Sequence, residues 1–162
     1  MRGIYSMDGQ FRSDALFCAL PQPCLEVQAA LIAAPVSHRR QILVVEDHVQ
    51  VRKMLVRALR QAGMDAFEAS TAAEARARLG VTAVHAVVTE IALPGGMDGF
   101  DLGDWIRYRS AHMPLVFMTG LTDWQLRPAP PRDPFMRFVR KPFGARVIVD
   151  FVMSLLSPAL LI

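Results

Sequence analysis

Four places along the chain carry side chains able to act on a cation or an anion: the pair Glu46-Asp47, then Glu90, Thr119 and Lys141. Each closes a short apolar run. Ile42-Leu43-Val44-Val45 leads into the acid pair, and Val84-His85-Ala86-Val87-Val88-Thr89 leads into Glu90. Residues 114–118 precede Thr119, and residues 135–140 precede Lys141. Apolar, β-branched runs of this length read as buried strands. The polar groups therefore fall at strand carboxyl ends, where open α/β sheets bind their ligands. Three carboxylates meeting there repel one another unless a cation lies between them. Hard oxygen donors suit Mg²⁺, which keeps several of its own waters. An ammonium and a hydroxyl on the far side would hold the oxygens of an anion.

The elements that must position these groups alternate along the chain. Residues 49–62 place Val51, Leu55, Ala58, Leu59 and Ala62 at helical spacing, with Gly63 as the stop. Residues 64–69 read as a second strand, and Thr71-Ala72-Ala73-Glu74 as a capping box opening a helix to Leu79. A third strand runs from Val81 or Ala83 to Thr89, and a third helix over 100–109. Strands over 114–119 and 135–140 follow, then a last helix over 144–156. Its apolar stripe is Val147, Ile148, Phe151, Val152, Leu155 and Leu156; Val149 and Met153 fall outside it and form a candidate partner or homodimer surface. Strands alternating with helices imply a doubly wound, five-stranded parallel sheet covered on both faces. The fourth crossover breaks the pattern: Pro128, Pro130, Pro131 and Pro134 exclude a helix interior, leaving a turn or two over 122–126.

Composition bounds the rest. At 162 residues the chain holds one ordinary domain, read here as residues 41–157. Residues 1–40 read as an extension, loosely ordered or with one short helix over 25–34, and residues 158–162 as an apolar tail. Hydrophobic residues make up 52%, and mean hydropathy is +0.27. No run reaches the roughly 18 apolar residues of a membrane span, so no membrane partner is expected. The net charge of +3 comes from scattered arginines rather than a basic stripe, which argues against nucleic acid. Cys18 and Cys24 fit neither a redox pair nor a zinc site, and a cytoplasmic setting is the default. His48, His85 and His112 show no ligand spacing; Trp105 and Trp124 read as packing residues.

Four motifs stand in order: Val-Val-Glu-Asp at 44–47, Leu-Pro-Gly-Gly-Met-Asp-Gly at 93–99, Met-Thr-Gly at 118–120 and Lys-Pro-Phe at 141–143. Intervals of 43, 29 and 22 residues separate Asp47, Glu90, Thr119 and Lys141. This pattern resembles the receiver domain of bacterial response regulators over about residues 40–157. The resemblance implies a flavodoxin-like sheet, with the fourth helix here short or irregular. It implies direct Mg²⁺ ligation by Asp47, ligation through water by Glu46, and a third protein ligand in the Ala92 backbone carbonyl. It makes Thr119 the switch hydroxyl, Lys141 the partner of the phosphoryl group (often ahead of a cis proline) and Phe138 the aromatic switch. Glu90, also a metal-side acid, takes the phosphoacceptor position.

There the chain departs from the pattern, which has Asp. Glutamate reaches about 1.5 Å further, and in-line attack loses about a hundredfold for 1 Å of misplacement. Glu90 is expected to pair with Lys141 or Thr119 without phosphate. The resemblance thus implies a single-domain two-component signalling protein, not an enzyme, acting by protein contact as a degenerate receiver with weak Mg²⁺ binding. Its partners would be a histidine kinase, a phosphotransfer protein or a downstream protein. A working phosphoacceptor receiver is the alternative. A flavodoxin-like enzyme acting on a phosphorylated substrate is a third, but it lacks a Gly-rich phosphate loop.

Overall fold

The computed structural model describes residues 39–120 and 133–157. The expected extension, the turn over 122–126 that would replace a fourth-crossover helix, and the apolar tail lie outside the described residues. Strands β1 (Gln41–Val45), β2 (Asp65–Ala69), β3 (Ala86–Glu90), β4 (Leu115–Thr119) and β5 (Met136–Arg140) form one parallel sheet in the order β2-β1-β3-β4-β5. Helices α1 (Val49–Gln61), α2 (Ala72–Val81), α3 (Gly99–Arg109) and α4 (Ala145–Leu156) cover its two faces. The chain leaves β1 for one neighbour and returns past it to β3. The switch point therefore lies between the carboxyl ends of β1 and β3.

Alternation along the strands divides the core. Ile42, Val44, Val88, Val116 and Met118 face α1 and α4, whereas Leu43, Val45, Val87, Leu115 and Phe117 face α2 and α3. β1, β3 and β4 are buried almost throughout because both faces are covered, and their polar residues sit at the strand ends. Each fully buried Leu or Val contributes about 1.5–3 kcal/mol.

Local signals account for most boundaries. Gly63 leaves α1 at φ +83°, a conformation few side chains tolerate. At α2, Thr71 Oγ1 accepts the Glu74 N–H (3.2 Å) as expected. The Glu74 carboxylate reaches one residue further back than a capping box requires, accepting from Ser70 N–H (2.7 Å) and Oγ (2.9 Å). α2 continues past Leu79 to Val81, so β3 starts only at Ala86. α3 opens on a reciprocal Asp98–Asp101 box.

The last helix corrects one expectation. Val149 is buried against α1 and the sheet, whereas Val147, assigned above to the apolar stripe, is 39% exposed. At 100° per residue the two valines flank the stripe on opposite sides, Val149 about 20° beyond Leu156 and Val147 about 40° beyond Phe151, and packing against α1 and the sheet buries the first. Met153 is exposed as expected, so Val147 and Met153 are the apolar side chains α4 presents outward.

Arg107 is a tie the sequence did not announce. Its guanidinium binds Asp133 Oδ2 (2.9 Å) and the carbonyls of Phe135 (3.3 Å) and Met113, joining α3 to the starts of β4 and β5. Arg107→Ala strands a half-buried carboxylate and two carbonyls. It is expected to lower stability by about 2 kcal/mol, read from urea denaturation; a loss below about 0.5 kcal/mol would show the tie to be ornamental.

Candidate functional site

The carboxyl ends of β1, β3 and β5 bring three of the expected side chains together. Glu46 follows β1 and is fully buried; Glu90 ends β3 and is 4% exposed. Lys141 follows β5, held by its N–H to the Thr119 carbonyl (2.7 Å), and its peptide bond to Pro142 is cis. The Lys141 ammonium donates to Glu46 Oε2 at 3.0 Å and pairs directly with Glu90 Oε2. The other Glu90 oxygen, Oε1, accepts the backbone N–H groups of Ile91 (2.9 Å) and Ala92 (3.4 Å). Both oxygens of the Glu90 carboxylate are thus engaged by the protein itself. Of the two partners anticipated for Glu90, the structure uses Lys141. The Thr119 hydroxyl instead donates to the Gly120 carbonyl (2.9 Å).

The loop behind Glu90 is held tightly. Thr89 Oγ1 donates to the Glu90 carbonyl (2.9 Å), Ile91 N–H to Met118 (3.0 Å) and Gly99 N–H to the Ile91 carbonyl (2.8 Å). Gly95 and Gly96 turn the chain at φ +99° and +82°.

Asp47 stands apart, with its side chain 39% exposed. Its Oδ1 accepts the His48 N–H (2.9 Å) and lies 3.5 Å from His48 Nδ1, while Glu46 Oε1 accepts the same N–H at 3.2 Å. One ligand atom from each of Glu46, Asp47 and His48 lies within 4.8 Å of the other two. His48, read above as lacking ligand spacing, therefore joins the acid pair. Consecutive residues at a strand-to-helix turn converge in a way that helical spacing rules do not anticipate. Arg52 was likewise missed. Reaching back from the first turn of α1, its Nη1 donates to the carbonyls of Glu46 (2.5 Å) and Asp47 (3.1 Å), and its Nε to Glu68 Oε2 (3.3 Å).

Burial pushes the Glu46 carboxyl above its ordinary value, against the opposing pull of Lys141, and neighbouring Glu90 pushes the same way. Burial works to lower Lys141, but its hydrogen bonds to Glu90 and Glu46 outweigh this and raise it. Asp47 also meets a burial penalty, overcome by hydrogen bonds from Glu46 and His48 that hold it below the usual range. Phe138 lies inward, stacked on Phe117 at 5.0 Å and 13°, with Phe100 at 6.3 Å.

The residues expected to hold Mg²⁺ are Asp47, Glu46, Glu90 and the Ala92 carbonyl. Asp47 and Glu46 offer oxygens at the turn. Glu90 falls outside the converging group, its oxygens bound by Lys141 and by the Ile91 and Ala92 amides.

Comparison with known proteins agrees with the geometry. The family model described as "Response regulator receiver domain" matches residues 42–153. The chain is 30% identical over 122 residues to the response regulator receiver protein CpdR of Brucella abortus, covering 74% of this chain and 99% of that protein. It is 25% identical to nodulation protein W of Bradyrhizobium diazoefficiens and 30% to the transcriptional regulatory protein GltR of Pseudomonas aeruginosa, spanning 49% and 50% of their lengths. Among solved structures, NtrX of Brucella abortus superposes with a TM-score of 0.62 at 27% identity, over 73% of this chain and 27% of that one. A receiver domain from Clostridium thermocellum superposes at 0.64 and 21% identity, over 75% and 98%, a likeness of fold. Among the described residues no helix is long and apolar enough to cross a membrane. The chain belongs to the response regulator receiver domain family of two-component signalling.

Proposed function

We propose that this receiver is degenerate: a non-enzymatic signalling domain that acts through protein contact, with its phosphoacceptor position disarmed. The observation that carries this reading is the Glu90 carboxylate, whose oxygens are bound by Lys141 and by the Ile91 and Ala92 amides. A nucleophilic oxygen must be free and in line with the phosphorus. Here the longer side chain folds back onto the lysine that would otherwise neutralise the incoming phosphoryl group. The lysine is thus occupied by Glu90, and Phe138 sits inward against Phe117. With Asp47 and Glu46 as the remaining oxygen donors, Mg²⁺ binding is weak. The partner is a histidine kinase, a phosphotransfer protein or a downstream protein in the cytoplasm, and the exposed Val147 and Met153 of α4 offer a surface for it or for a second copy.

The test is labelling with acetyl phosphate and Mg²⁺, followed by intact-mass spectrometry. Wild type is expected to gain no phosphoryl adduct. Glu90→Asp, one methylene shorter, frees Lys141 and is expected to label about a hundredfold faster. Equal labelling of both proteins at residue 90 would establish the working phosphoacceptor instead.

A further inference from the structure

Glu90 leaves the cation nest, and His48 enters it. We propose that the turn Glu46-Asp47-His48 binds a borderline divalent cation through two carboxylates and one imidazole, Zn²⁺ ahead of Mn²⁺ and both ahead of Mg²⁺. One donor atom from each residue lies within 4.8 Å of the others. Asp47 Oδ1 and His48 Nδ1 are 3.5 Å apart. Donors bound to zinc at about 2.0–2.1 Å in a tetrahedron stand about 3.4 Å apart, so this pair needs almost no rearrangement.

The turn is built rather than incidental. Arg52 ties down the carbonyls of Glu46 and Asp47, and Lys141 fixes Glu46 through Oε2 while Oε1 faces the turn. The Asp47 and His48 side chains are 39% and 77% exposed, which leaves a route in and room for water in the remaining coordination positions. Three protein ligands plus water is the composition of an open zinc site. An oxygen-only set suits Mg²⁺, whereas exchanging a carboxylate for a ring nitrogen moves preference toward the later divalent metals. The site does not require Glu90 to accept or refuse phosphate, so its test uses no phosphodonor.

Chelator-treated protein would be titrated calorimetrically with Zn²⁺, Mn²⁺ and Mg²⁺ separately, as wild type and as His48→Ala. The Mn²⁺ form would also be examined by pulsed electron paramagnetic resonance for a directly bound nitrogen. One Zn²⁺ per chain is expected, bound more tightly than Mg²⁺. His48→Ala should weaken Zn²⁺ by about tenfold or more, the scale on which even an outer partner of a ligand is felt. It should leave Mg²⁺ affinity unchanged and abolish the nitrogen signal. Equal Zn²⁺ affinity in the two proteins, an absent nitrogen coupling, or Mg²⁺ binding as tight as Zn²⁺ would overturn the site and leave Asp47 and His48 as a surface ion pair.

Discussion

Lys141→Met is expected to lower stability by about 3–5 kcal/mol at pH 7, because it leaves two buried carboxylates with no cation between them. Glu46 is fully buried and Glu90 nearly so, and Lys141 is the ammonium that both oxygens face. Breaking a buried pair costs the desolvation of whatever stays charged, and here the two remaining acids also repel. The loss must therefore depend on pH. In wild type the lysine is held above its ordinary 10.5, so its contribution is fully present below that value and fades only as pH climbs through the raised one. In the variant the Glu46 carboxyl, already raised by burial and by neighbouring Glu90, takes up a proton more readily than in the unfolded chain, so stability returns as pH falls. Urea denaturation at pH 7 and pH 5 reads both effects, and Glu90→Gln added to Lys141→Met should restore much of the loss at pH 7. A variant within about 1 kcal/mol of wild type at pH 7 would mean that water, not Lys141, satisfies these acids.

Gly99→Ala is expected to cost about 3 kcal/mol, the upper end of overpacking. A Cβ at Gly99 would stand 2.1 Å from the Glu90 carbonyl oxygen and 2.8 Å from the Ile91 Cα. Both neighbours are backbone, and both are held: Ile91 by Met118 and by Gly99 itself, the helix entry by the Asp98–Asp101 box. At Gly103 the obstructing atom is the end of the Phe117 ring, 2.7 Å away, which can tilt, so Gly103→Ala should cost less. The comparison is decisive because helix propensity alone predicts the opposite sign, a gain of about 0.5–1 kcal/mol for Ala over Gly. A Gly99→Ala protein more stable than wild type in thermal denaturation would show that the β3–α3 approach is looser than drawn. Since the same backbone carries Glu90, a compliant loop would also weaken the argument that its carboxylate is pinned.

Periodicity made the core legible before any coordinates. Apolar β-branched runs at 42–45 and 86–88 can be buried on two faces only inside a covered parallel sheet, and the stop at Gly63 and the cap at Thr71 need only their immediate neighbours. What failed was phase and reach. Val147 and Val149 are equally apolar and two residues apart, and only packing against α1 and the sheet shows which one faces inward. Arg107 and Arg52 look like any surface arginine in the sequence, because the carbonyls they bind belong to other elements or to a turn whose shape is not written in residue type.

Residue order was enough to place the acids and a lysine at one edge of the sheet, since residues closing parallel strands have nowhere else to go. It also carries the chemical oddity, a glutamate where the receiver pattern has aspartate. Where that side chain turns is set by the folded arrangement around it. A carboxylate on a longer stem can meet a metal, a hydroxyl, an amide or an ammonium. The choice depends on ångström distances set by three strand ends and the backbone of a tightly held loop. That same placement separates Glu90 from Asp47 and leaves His48 beside the remaining acids, a grouping that exists only once β1 has turned into α1.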